Sequence, residues 1–178
     1  MYWYVLFVRT GQEFKVEQLL KERLDSDLFM PFVPLREIFF KKAGIMKKEL
    51  KPLFPGYVFV ESELSNREFI KKVRTLIYNS RSIFSLLKYS DTEFAMRESE
   101  KQMLLILCND DRCIESSKGI SEGNKIYITD GPLKGRESIV KKVDRHKRRA
   151  EIELEIMGDI RCISVSLEII NKVPLGFR

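Results

Sequence analysis

Apolar and polar positions alternate in two different ways along this chain, and the change falls about two thirds of the way through. Tyr2 to Arg9 is an apolar, β-prone run that predicts a first strand. Thr10-Gly11-Gln12-Glu13 then has the T-x-x-E form of a capping box, and Val16, Leu19, Leu20 and Leu24 follow at helical spacing. Phe32 to Lys41 predicts a strand that bends near Pro34. The polar, lysine-rich segment Lys42 to Lys51 is expected to be the tip of a long hairpin returning through Tyr57–Val60. Before that strand, Pro55-Gly56 marks a fixed turn flanked by Phe54 and Tyr57, and both rings are expected to be partly exposed. Ser65-Asn66-Arg67-Glu68 is a second capping box, opening a helix with Phe69, Ile70 and Val73 inward. Of the short apolar pieces Leu76–Tyr78 and Ile83–Leu87, at least one should be a strand. A third helix is predicted from about Glu98 to Cys108, with Met103, Leu104 and Leu107 on its apolar side. This order predicts an α+β domain: a ferredoxin-like α/β sandwich with helices on one side of an antiparallel sheet.

Asn109 to Lys118 has almost no periodicity and reads as a flexible linker. Beyond it come short strands broken by turns, predicted at Lys125–Thr129, Ser138–Val143, Glu151–Ile156, Arg161–Val165 and Glu168–Val173. Glu151 to Ile156 alternates without a break, so one face is buried and the other solvated. Five short strands in this space predict a small SH3-like β-barrel. The expected division is therefore residues 1–108, a linker at 109–118, and a second domain at 119–178.

Charge sharpens the second domain. Of the net charge of +6, the last third of the chain carries the larger share. Lys134 to Arg149 holds eight basic residues against two acidic ones. Two readings stand side by side: a solvated loop, or direct RNA binding by Lys134, Arg136, Lys141, Lys142, Arg145, His146, Lys147, Arg148 and Arg149, with arginine forks on phosphates and His146 available for stacking. The lysines of 41–51 pose the same question more weakly.

Other chemistry is thin. Cys108, Cys113 and Cys162 form no C-x-x-C pair, so neither a zinc site nor a disulfide framework is expected, and a reducing, cytoplasmic setting is. No leader-like segment follows Met1, and no apolar run is long enough to cross a membrane. His146 is the one histidine and sits in a basic run; Gly131-Pro132-Leu133-Lys134-Gly135 lacks the spacing and Lys-Ser/Thr ending of a phosphate-binding loop. No enzymatic activity, metal or cofactor is expected.

Gly123-Asn124-Lys125-Ile126, Gly131-Pro132-Leu133-Lys134-Gly135, Ile139-Val140 and the run Asp144 to Arg149 together resemble the KOW motif of the NusG family of transcription elongation factors. Trp3-Tyr4-Val5 before a helix, and Phe54-Pro55-Gly56-Tyr57-Val58-Phe59-Val60, look like that family's N-terminal (NGN) domain, so the resemblance covers essentially the whole chain. It implies a first domain that binds the clamp helices of the largest RNA polymerase subunit and suppresses pausing. Phe7, Phe54, Tyr57 and Phe59, with Met103 and Leu107 beside them, match the family's docking depression. Ser138, Leu133 and Tyr78-Asn79-Ser80 depart from the usual pattern. With the basic barrel they make the chain similar to the specialised antiterminator subgroups LoaP and RfaH, LoaP the nearer. The implied partners are RNA polymerase and nascent or leader RNA, with Rho or a ribosomal protein open for the barrel; a monomer with no membrane partner is expected. A general elongation factor of the family and a ribosome-associated KOW protein are the alternatives, the second leaving the Trp3 strand and Phe54–Val60 unexplained.

Overall fold

The computed structural model describes residues 1–123 and 125–171. Its elements are β1 (Tyr2–Val8), α1 (Glu13–Arg23), β2 (Met30–Phe32), β3 (Leu35–Lys42), β4 (Ile45–Pro52), β5 (Tyr57–Ser62), α2 (Asn66–Asn79), β6 (Ile83–Leu86), α3 (Glu98–Leu107), β7 (Cys113–Ile114), β8 (Ser117–Glu122), β9 (Lys125–Asp130), β10 (Val140–Asp144), β11 (Arg149–Ile156) and β12 (Asp159–Asn171). The fold is α+β. Two compact units are distinguished: Met1–Leu35 with Pro52–Leu105 and Glu155–Ile160, and Arg36–Lys51 with Ile106–Leu154 and the described residues from Arg161 on.

The first unit is built on an antiparallel sheet in the order β2-β5-β1-β6. β1 is central because its run Trp3 to Leu6 is apolar on both faces, and all four side chains are buried. Tyr4, Leu6 and Val8 on one face pack with Val58, Val60, Val16 and Leu20 of α1, and Phe69 and Val73 of α2. Tyr4 lies flat on Phe69, centroids 3.7 Å apart. The other face collects rings: Trp3 meets Phe32 at 5.1 Å and Phe59 at 6.2 Å, and Phe54 stacks on Phe59 at 5.8 Å.

Ser65 and Glu68 form the expected capping box, with the Ser65 N–H donating to the Glu68 carboxylate at 3.2 Å. α2 runs on through Leu76–Tyr78, so the strand of that pair is Ile83–Leu86. Thr10 does not cap α1. Gln12 occupies the cap position, and Glu13, 3% exposed, turns back to accept the N–H groups of Gly11 at 3.1 Å and Gly56 at 2.7 Å. That tertiary bond to the Pro55-Gly56 turn outcompetes the local one, since a buried carboxylate needs more than one donor.

The hairpin expectation needs correction. Lys42–Lys51 is not a tip returning through Tyr57–Val60; β3 turns at Ala43-Gly44 and comes back as β4, while β5 pairs with β1 in the other sheet. Ala43 and Gly44 both have positive φ, 51° and 82°, as a two-residue hairpin turn requires. β3 and β4 form a three-stranded sheet with β7, in the order β4-β3-β7.

The second unit also holds the five-stranded sheet β10-β11-β12-β8-β9. β8 runs parallel to β12 and antiparallel to β9. β11 alternates buried and exposed as its sequence predicts, and Ala150, Ile152 and Leu154 join Ile128, Leu133, Ile163, Val165 and Leu167 inside. The two strands expected at Arg161–Val165 and Glu168–Val173 are one long β12, and Lys172 and Val173 lie outside the described residues, as does Asn124 of the Gly123–Ile126 segment. The Ser138–Val143 expectation becomes a 3-10 turn at Glu137–Ile139 followed by β10. Within 109–118 lie β7 and the first residues of β8, and the Asn109 side chain accepts the N–H groups of Asp111 at 3.1 Å and Cys113 at 3.0 Å.

Candidate functional site

Two surfaces hold the residues singled out in the sequence, one in each unit. In the first, the Pro55-Gly56 turn is held rigidly: Val8 N–H donates to Gly56 O at 2.8 Å, and Glu13 takes the Gly56 N–H. Gly56 has φ +85°, which favours glycine, and a Cβ there would press on Thr10 Oγ1 at 3.2 Å. The turn places Tyr57 beside Phe7, centroids 5.7 Å apart, and Phe7 lies 5.3 Å from Phe84. Phe7 is 39% exposed and Phe84 53%, with Tyr57 half-buried, so three rings form one outward patch. A groove of about 480 Å³ continues from Phe84 past Ile77, Tyr78, Leu86 and Phe94.

Of the six residues matched to a docking depression, Phe7 and Tyr57 reach this patch. Met103 is half-buried on α3. Phe54, Phe59 and Leu107 are buried, at 4%, 0% and 2% exposure. Phe54 therefore corrects the expectation that both rings flanking the turn are exposed: it points inward onto Phe59, whereas Tyr57 opens β5 facing Phe7. Sequence reasoning missed Phe84. It falls at an irregularity in the β1–β6 ladder, where Phe7 pairs with Ser85 and Val8 with Ile83. The available signal was Ile83-Phe84, two adjacent apolar residues on a strand, which must face opposite sides.

In the second unit, the basic residues separate into groups. Lys134 and Arg136 lie in the turn after Gly131-Pro132, where Arg136 Nη1 donates to Pro132 O at 3.3 Å and Lys134 O at 3.1 Å. Gly131 has φ +91°, and a Cβ would lie 2.6 Å from Ser117 Cα; Gly135 has open space around it and needs glycine only for its φ of +74°. Leu133 between them is fully buried and donates its N–H to Ser117 Oγ at 3.1 Å.

Lys141 and Lys142 are exposed on β10, the first 3.5 Å from Glu153. Arg145 to Arg148 form the β10–β11 turn, with Arg148 at φ 54° and Lys147 N–H on Asp144 Oδ1 at 2.9 Å. That N–H is the main reason the Asp144 carboxyl titrates below its ordinary value. Lys147 lies 3.7 Å from Asp144 and Arg148 3.3 Å from Glu168, both open to solvent. His146, Lys147, Arg148 and Arg149 then line a groove of about 310 Å³ opposite Phe39, Phe40, Lys41 and Met46 of the β3–β4 hairpin. Lys134, Arg136, Lys141, Lys142 and Arg145 do not line it.

Among the described residues no group of three His, Cys, Asp or Glu side chains could hold a metal ion. The cysteines are free, and burial pushes the Cys108 thiol up to about 12 and the Cys113 thiol up to about 11, away from nucleophilic thiolate. Among the described residues no helix is long and apolar enough to cross a membrane.

The family model described as "Transcription termination factor nusG" matches residues 1–105. The chain is 23% identical over 179 residues to the transcription termination/antitermination protein NusG of Rickettsia felis, covering 96% of this chain and 89% of that one. It is 28% identical to the protein of the same description from Pasteurella multocida, covering 93% and 91%. A chain in a crystal structure of the MjSpt4:Spt5 complex, conformation B, aligns over 92% of this chain and 98% of its own, at 17% identity and a TM-score of 0.32. The family match takes in the β1 strand, the Phe54–Val60 segment and α2 together, and the chain belongs to the NusG family of transcription termination and antitermination factors.

Proposed function

We propose that this protein docks on RNA polymerase through the Phe7–Tyr57–Phe84 patch and acts during elongation by suppressing pausing and termination. The observation that carries this reading is the exposed patch itself. Three rings stand together on a sheet whose turn is fixed by Glu13 and Gly56, with an apolar groove continuing from Phe84. Rigid aromatic anchors of this kind dominate interface energies, because they desolvate a large area at little cost in side-chain entropy. The family resemblance supplies the partner: the clamp helices of the largest polymerase subunit. Phe54 and Phe59 belong to the packed ring cluster of the same sheet, and Met103 is half-buried on α3.

The second half of the proposal is RNA contact by the basic barrel, centred on the Arg145–Arg149 turn. It is supported by the concentration of positive charge from Lys134 to Arg149. Together with the departures at Ser138 and Tyr78-Asn79-Ser80 it favours a specialised antiterminator of the LoaP kind, working in the cytoplasm on leader RNA, over a general factor. The division of labour at 109–118 is part of this reading, as is a role in binding without catalysis.

Titrating labelled polymerase core with the full chain tests the docking claim. Phe84→Ala and Phe7→Ala should each weaken binding by about 2 kcal/mol or more, the range of a hot spot, with an unchanged circular dichroism spectrum. Unchanged affinity in both variants would move the site elsewhere.

A further inference from the structure

Next to the groove lined by the β3–β4 hairpin and the β10–β11 turn stands a pair of arginines, one of which forms part of it. Arg36 on β3 and Arg149 at the start of β11 are half-buried neighbours, and Arg36 Nη1 donates to Ser164 O. The Nε atoms of both are buried without a hydrogen-bond partner among the described residues. Burial, and then the charge of Arg149, lower the pKa of Arg36. Two like charges withdrawn from water cost free energy unless an anion joins them, and guanidinium forks fit phosphate oxygens best. Arg149 also forms part of the groove, with His146, Lys147 and Arg148 beside it and Lys41 across from it.

The opposite wall carries Phe39, Phe40 and Met46 beside Lys41, with both phenylalanines half-buried and Met46 40% exposed; on β3, Phe40 shares the face of Arg36 and Phe39 takes the other. A cationic wall facing an aromatic one suits a strand whose backbone is charged and whose bases have free faces. A duplex hides those faces and would leave the phenylalanines unused.

We infer that this groove binds single-stranded RNA, with a backbone phosphate on the Arg149 guanidinium and a base against the aromatic wall of the β3–β4 hairpin. This rests on the RNA reading above and adds the hairpin to it: Phe39, Phe40, Lys41 and Met46 become part of the RNA site, and Arg36 reinforces its positive potential from behind.

The test uses the full chain and a fluorescein-labelled 12-nucleotide single-stranded RNA, alone and annealed to its complement, read by anisotropy at low salt. Phe40→Leu keeps apolar bulk and removes the stacking ring, and Met46→Glu puts a negative charge on an exposed position. Each should lower single-strand affinity about tenfold, in line with the loss of one stacked base, while melting temperatures stay close to that of the unaltered chain. The duplex should bind more weakly than the single strand. Wild-type affinity in both hairpin variants, alongside lost binding in Arg145→Ala/Arg148→Ala, overturns the hairpin's role and leaves the barrel reading intact. A duplex that binds as tightly as the single strand overturns the choice of strand. Absence of binding to either RNA at low salt overturns both readings.

Discussion

Phe54 and Tyr57 stand on either side of one Pro-Gly turn and meet opposite fates, which makes them a sensitive pair for mutation. Tyr57 shares the outward patch with Phe7 and Phe84, whereas Phe54 is stacked on the fully buried Phe59. Phe59→Ala should therefore cost about 3–5 kcal/mol of stability, the usual range for a buried ring, measured by urea denaturation, and Phe84→Ala should cost little. The glycines of the second unit separate in the same way. Gly131→Ala drives a Cβ to 2.6 Å from Ser117 Cα and should prevent the native turn, so its thermal transition should be lost or lowered well beyond that of Gly135→Ala. Gly135→Ala meets only open space and the φ penalty, roughly 1–2 kcal/mol. At this scale the sequence was informative about which segments matter and poor about direction. Aromatics such as Phe54 and Tyr57 on either side of a turn carry no periodicity from which exposure can be read. Gly131 and Gly135 look alike as letters, and only packing against Ser117 distinguishes them.

Elements marked by large apolar residues at strand or helix spacing were legible, and those exposed along their length or filled by small residues were missed. β11 alternates without a break, and α2 carries both its capping box and Phe69 and Val73 at helical spacing, so each was readable. β4 is exposed along nearly its whole length, so no hydrophobic period marks it, and its lysines resemble a loop. β8 hid because Ser117 and Gly119, small residues, fill its buried positions; a Cβ on Gly119 would meet Tyr127 O at 2.8 Å. The hairpin base has its own testable anchor in Glu37. Its carboxylate accepts from Lys48 Nζ at 2.8 Å and from the Ser116 N–H at 3.0 Å. Burial raises the pKa of this carboxyl, but the bonds from Lys48 and Ser116 outweigh it, and the net value is lowered. A lowered folded value means the stabilisation is complete above the ordinary carboxylate pKa and fades as pH falls through the lowered one. Hydrogen exchange at the Ser116 amide should accordingly be protected near neutral pH and accelerate, relative to its intrinsic rate, in Glu37→Ala. An unchanged protection factor would show that the amide is held by something other than this carboxylate.

Across the whole chain, apolar docking and electrostatic binding are assigned to different surfaces, and they respond differently to salt. RNA affinity that depends on phosphate contacts should fall with salt at a slope of roughly 0.7 per neutralised phosphate for a single strand. Lys142→Ala, at an exposed position on β10, should flatten that slope by up to one such increment if its ammonium meets a phosphate, and should weaken all sequences alike. Docking through Phe7, Tyr57 and Phe84 should be far less sensitive, because apolar burial is not screened. In the proposed function, the aromatic patch couples this chain to the elongating polymerase. The most direct measurement is single-round transcription with purified polymerase on a template carrying a defined pause and terminator, with and without the full chain. The unaltered protein should give shorter pauses and more read-through, and a folded Phe7→Ala/Phe84→Ala variant should lose both effects. A variant as active as the unaltered chain, or an unaltered chain that leaves elongation unchanged, would contradict the proposed function.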